Sequence, residues 1–155
     1  MNYIIKDIRN FSSSFYQKQY LLLNHYQKEK IDKLKNDCDK KLSILGWFWL
    51  SQLVSLSIAE IKYQNGKPCV SSKYVSISHK YPYVVVIVHD KDVGIDIEII
   101  REIDKTTLKY LKQDNSLEAL IYWTRYESRL KCGGEGLVKT FLINHELIVS
   151  ICQQK

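Results

Sequence analysis

The chain has 155 residues, 45% of them hydrophobic and 26% charged, with a formal net charge of +6. These values exclude a disordered chain and leave enough residues to bury a core without covalent or metal staples, as one compact unit or two small halves. The positive excess favours an anionic partner (nucleic acid, a phosphorylated small molecule, an acidic protein or a membrane surface), although a solvated lysine surface accounts for it equally well.

Four cysteines, Cys38, Cys69, Cys132 and Cys152, form no C-x-x-C pair. With no secretory leader in view they read as reduced thiols of a cytoplasmic protein. No Cys/His cluster has the spacing of a structural zinc site.

In chain order, residues 2–5 predict a short strand. Helical patterns follow over 15–35, with a break near Asn24, and over 40–59, with Asp39 as the N-cap. The uncharged stretch 42–59 is just long enough to raise a membrane span. Ser43, Gly46, Ser51, Gln52, Ser55 and Ser57 dilute its hydrophobicity, so a buried helix of a domain outside the membrane is expected instead.

The period then changes. Residues 74–78 alternate as a strand with one buried face, and 83–88 form the continuous β-branched run of a central strand. Asp90-Lys91-Asp92 supplies turn chemistry before 93–100 resumes the strand pattern, which predicts an antiparallel meander over 74–100. Helices are expected at 104–113 and 116–131, the latter stopped by Gly133 and Gly134. Segments 141–143 and 147–151 predict a closing hairpin around Asn144-His145-Glu146. The order strand, helices, strands occurs twice. The expected fold is therefore α+β, with two similar halves, 1–91 and 92–155, built of antiparallel strands and packed helices.

Three strings carry candidate chemistry. In Val93-Gly94-Ile95-Asp96-Ile97-Glu98, strand alternation sends Asp96 and Glu98 to one face and Ile95 and Ile97 to the other. Two carboxylates about 7 Å apart along a strand can converge on one hard cation such as Mg²⁺. Asp-x-Glu is so common that, taken alone, a solvated acidic face is the better explanation. In Trp123-Thr124-Arg125-Tyr126-Glu127-Ser128-Arg129-Leu130-Lys131, Glu127 and Lys131 are i,i+4 neighbours on one helix face. The glutamate can act as ligand or general base and the lysine can neutralise phosphate, or the two can be a plain surface ion pair. The third element is Ser78-His79, expected just past a strand and preceded by Gly66-Lys67-Pro68, where a restrained lysine and a histidine can meet phosphate. Ordinary hairpin residues would look the same. Cys132-Gly133-Gly134-Glu135-Gly136 follows a helix and lacks a Gly-Lys-Ser/Thr ending, so it is no phosphate loop, and no nucleophile elbow is present.

The order Gly-Lys-Pro, Ser-His, Val-Gly-Ile-Asp-Ile-Glu, then Trp-Thr-x-x-Glu-Ser-x-x-Lys resembles the 4′-phosphopantetheinyl transferase superfamily, in its pseudo-dimeric, Sfp-type branch. The resemblance covers residues 66–131 closely and 27–46 loosely. It implies a Mg²⁺-dependent transfer of the phosphopantetheine arm of coenzyme A to a serine of an acidic acyl or peptidyl carrier protein, with the active site between the halves. It further implies Asp96, Glu98 and Glu127 as metal ligands, Glu127 also as base, and Lys131 as the residue that steadies the phosphate or leaving group. Lys67, Pro68, Ser78 and His79 would contact coenzyme A, with Lys28 and Lys41 among the lysines on its nucleotide side. A monomer in fatty acid or secondary-metabolite biosynthesis is expected, with neither nucleic acid nor membrane as partner.

The sequence departs from that pattern at Tyr126, where the family usually has lysine, at Leu42, where it usually has arginine, and at Lys80 after Ser-His. The stretch between Glu98 and Trp123 is also short. These departures motivate a second expectation, a catalytically degenerate homologue that binds coenzyme A or the carrier. A basic nucleic-acid binder is a third class, suggested by the lysines of 28–41 and by eleven tyrosines, but no recognition motif accompanies them.

Overall fold

The computed structural model describes residues 2–64 and 66–155. The fold is α+β, and contacts divide it into two compact units, Met1–Asp90 and Lys91–Lys155.

The first unit opens with β1 (Asn2–Asp7), followed by α1 (Ser13–Leu21), α2 (His25–Lys33) and α3 (Asp37–Val54). The break expected near Asn24 is a helix start. The Asn24 side chain accepts from Gln27 N–H while the Gln27 side chain accepts from Asn24 N–H, closing a reciprocal cap. α3 begins earlier than expected because Asn36, not Asp39, caps it, accepting from Cys38 N–H. Asp39 sits instead in the first turn, where a carboxylate favours the positive end of the helix dipole. The helix stops at Val54, short of 59, because Ser55 turns left-handed with φ 54°. No helix among the described residues is long and apolar enough to cross a membrane.

β2 (Lys62–Gln64) and β3 (Lys67–Cys69) form a small ribbon, and β4 (Tyr74–Lys80) and β5 (Tyr83–His89) a hairpin. The main sheet of this unit has the order β1-β5-β4, all antiparallel. α3 lies against it, packing Leu42, Leu45 and Leu50 with Val84 and Val86.

The second unit comprises β6 (Val93–Ile99), α4 (Lys105–Leu111), α5 (Ser116–Lys131), β7 (Leu137–Ile143) and β8 (Leu147–Gln153). Its sheet has the order β6-β8-β7, again antiparallel. In both units, then, the first strand pairs with the last, and the last with the one before it.

This pairing corrects the meander expected over 74–100. β4 and β5 pair, but β6 joins β8. β5 cannot accept β6, because β1 from the start of the chain already hydrogen-bonds its second edge, leaving it no free ladder groups. β7 also begins earlier than expected, at Leu137, and turns at Asn144 and His145, both with positive φ.

α5 rests on β6 and β8 at unusually short range. A Cβ on Gly94 would lie 2.0 Å from the Ser128 carbonyl oxygen and 2.6 Å from Cys132 N, so only glycine lets helix and strand meet here. α5 buries Leu120, Thr124 and Ser128 at successive i,i+4 positions, turning its neighbouring stripe, with Glu127 and Lys131, toward the edge of β6.

Candidate functional site

The acids of β6 share a face, as strand alternation requires. Asp96 and Glu98 are both 7% exposed, and Ile95 and Ile97 occupy the alternate positions. The acids lie on the α5 side of the sheet: Lys131 Nζ donates to Asp96 Oδ1 at 2.7 Å, and Ser150, the β8 partner of Asp96, bonds to Thr124 of α5. Arg101 Nη2 stands 3.7 Å from Glu98 Oε2. Two buried carboxylates thus face two cations, the compensation that burial of charge demands. The sequence signal for Arg101 is only its place three residues beyond Glu98, just past the strand.

Glu127 is half-buried, one turn before Lys131 on the same stripe. Among the described residues no three His, Cys, Asp or Glu side chains are disposed to hold a metal, so Glu127 is not gathered with Asp96 and Glu98 into a three-acid group. The pair on β6 nevertheless offers the right donors for Mg²⁺, which takes one or two carboxylates together with phosphate oxygens and water.

The first unit lacks this pair. Pairing each opening strand with its closing strand sets Ile4 (opposite Val86) and Lys6 (opposite Val84) where Asp96 (opposite Ser150) and Glu98 (opposite Ile148) stand in the second.

Ser78 and His79 lie inside β4 rather than past its end, so they point to opposite faces: Ser78 is buried, His79 exposed. Lys67 and Pro68 belong to β3, with Lys67 exposed and Gly66 preceding it at φ 78°. Lys28 Nζ lies 3.4 Å from Leu21 O and over the Tyr20 ring. Lys41 bonds Asp37 at 2.7 Å and lies over Tyr16, and that hydrogen bond raises its pKa. Lys41, Asp37 and Tyr16 line, with Lys40 and Tyr20, a groove of about 640 Å³ between the helices, whereas Lys28 is not part of its lining. Leu42 is 1% exposed within the core, which accounts for an apolar residue there and leaves Lys40 and Lys41 as the solvent-reaching neighbours.

The charge is divided unevenly. Residues 1–90 hold 13 Lys/Arg against 7 Asp/Glu, whereas 91–155 hold 10 of each, so the whole excess of +6 belongs to the first unit.

No family model matches the chain, and no curated protein matches it.

Proposed function

We propose that the protein is a 4′-phosphopantetheinyl transferase acting on coenzyme A and a serine of an acidic carrier protein, in the cytoplasm, as a monomer. The observation that carries this reading is the buried pair Asp96 and Glu98 on one strand face with Lys131 bonded across to Asp96. It stands beside the ordered motifs of residues 66–131 and a topology that occurs once in each unit.

Asp96 and Glu98 would hold Mg²⁺, which when bound supplies charge to stabilise the pyrophosphate oxygens. Glu127 takes the proton of the acceptor serine. The serine oxygen forms a bond to the pantetheine-side phosphorus while the bond from that phosphorus to the leaving adenosine 3′,5′-bisphosphate breaks. Lys131, bonded to Asp96, is the ammonium that would neutralise charge developing on phosphate. By the resemblance, Lys67, Pro68, Ser78, His79, Lys28 and Lys41 would contact coenzyme A.

Mass analysis of an apo carrier protein incubated with coenzyme A and Mg²⁺ tests this. Transfer by the wild type, lost in Asp96→Asn and in Glu127→Gln, is the expected result; transfer at full rate in both variants contradicts the assignment. A second reading, a homologue that binds coenzyme A without turnover, draws on Tyr126, Leu42 and the short stretch between Glu98 and Trp123. Binding by calorimetry with no transfer to any carrier would favour it.

A further inference from the structure

Beside Asp96 runs a line of three hydroxyls, two of them buried, that the proposed transfer does not use. Thr124 on α5 and Ser150 on β8 are each 0% exposed, their oxygens 2.9 Å apart. Ser150 is also 3.0 Å from the Thr140 hydroxyl on β7. Thr124 donates to the Ile121 carbonyl at 3.1 Å.

A hydroxyl has one proton to give, which fixes the direction of the chain. Thr124 spends its proton on Ile121, so it accepts from Ser150. Ser150 then accepts from Thr140. The line runs Thr140 to Ser150 to Thr124 to the α5 backbone, crossing from sheet to helix at Ser150. That crossing is opposite Asp96, because Ser150 is its β8 partner. Lys131, two turns beyond Thr124, makes its bond to Asp96 from the same helix.

We propose that Ser150 and Thr124 are positioning residues: their hydrogen bond fixes the height of α5 along the sheet and thereby sets the contact between Lys131 and Asp96. α5 is also held at its C-terminal end, where Cys132 Sγ donates to the Asp92 carbonyl at 3.4 Å and Gln154 Nε2 to the Cys132 carbonyl at 3.3 Å. In the body of the helix the bond of Thr124 with Ser150 adds a directional tie in a dry interior, which resists sliding as apolar contacts do not. Thr140 completes the partners of Ser150 from the neighbouring strand β7. The catalytic meaning of this device rests on the function proposed above; its structural content does not.

The test is a double-mutant cycle between Lys131 (to Met) and Asp96 (to Asn), read by urea denaturation of the full chain in four backgrounds: wild type, Thr124→Val, Thr124→Ser and Thr140→Val. The expected result is that the Lys131–Asp96 coupling drops by more than half in Thr124→Val and is retained in Thr124→Ser and Thr140→Val, although Thr140→Val is itself destabilised. Coupling unchanged in Thr124→Val, or lost equally in Thr140→Val, overturns the proposal. If Thr124→Val fails to fold, Ser150→Ala replaces it with the same criteria, and amide exchange at residues 129–132 in Thr124→Ser must match wild type. None of these readouts uses transfer, so an absence of transferase activity would defeat the function proposed and leave this inference to stand or fall separately.

Discussion

Lys131 on α5 holds the buried carboxylate of Asp96 on β6 at 2.7 Å, joining residues 35 apart in the chain. Asp96 is 7% exposed, so removal of this ammonium takes a hydrogen-bond partner from a buried carboxylate. Replacing Lys131 by Met is expected to cost about 1–3 kcal/mol, because it leaves a buried carboxylate without that cation. Adding Asp96→Asn to Lys131→Met is expected to recover most of the loss. Urea denaturation of the three variants checks this; a double variant no more stable than Lys131→Met contradicts it.

The close approach of α5 to β6 makes Gly94 irreplaceable. An added methyl meets backbone, the Ser128 carbonyl at 2.0 Å, and neither element can yield alone. Gly94→Ala is expected to cost about 3 kcal/mol or more. Gly46 in α3 is the comparison: its methyl would meet Ile77 Cγ2 at 3.0 Å, a side-chain atom that can shift, and alanine favours the helix by about 1 kcal/mol. Gly46→Ala is therefore expected to be near neutral by thermal denaturation. Equal losses at the two sites would contradict the packing described.

Alkaline pH offers a third check. Burial pushes the Tyr16 phenol up to about 12 from its ordinary 10.0, and burial raises Tyr63 in the same direction. Between pH 10 and 12 the unfolded chain releases these protons and the folded chain retains them, so stability present below pH 10 declines as pH rises through that window. Burial likewise raises the Cys132 thiol from 9.0 to about 12, so urea midpoints should hold to about pH 9, decline from there, and fall more steeply beyond pH 10. Tyr16→Phe should flatten part of the fall, while lowering stability at pH 8 by about 1 kcal/mol through loss of the bond to the Ile8 carbonyl. Wild-type and Tyr16→Phe curves that run parallel above pH 10 contradict the assignment to Tyr16.

The concentration of excess charge in residues 1–90 bears on the partner. If an acidic carrier is drawn by this unit, Lys33→Glu with Lys35→Glu, both exposed, should slow association roughly tenfold at low salt. The difference should shrink at about 0.15 M salt, where the screening length is about 8 Å. Stopped-flow association at two ionic strengths measures it, and rates insensitive to the charge reversal contradict the steering.

Much of this architecture is legible in the sequence, because it is written in local signals. The Asn24 break, the alternation of 93–98 and the Gly133 stop each act within a few residues. What escapes is long-range pairing: nothing local in residues 2–7 announces that they will take the open edge of β5 and so turn β6 toward β8. The site divides in the same way. Co-facial Asp96 and Glu98 follow from strand period alone. The bond from Lys131 to Asp96, the proximity of Arg101 to Glu98 and the hydroxyl line through Ser150 depend on how α5 seats on the sheet. Ser78 and His79 show the converse, adjacent residues that read as one motif yet face opposite ways.

The most direct test of the central claim is the mass of an apo acyl carrier protein after incubation with this protein and coenzyme A, with and without Mg²⁺. The account predicts a gain equal to the phosphopantetheine arm only when metal is present, and its loss in Asp96→Asn. No gain on acyl or peptidyl carriers with metal present, or an equal gain from the Asp96→Asn protein, would contradict it.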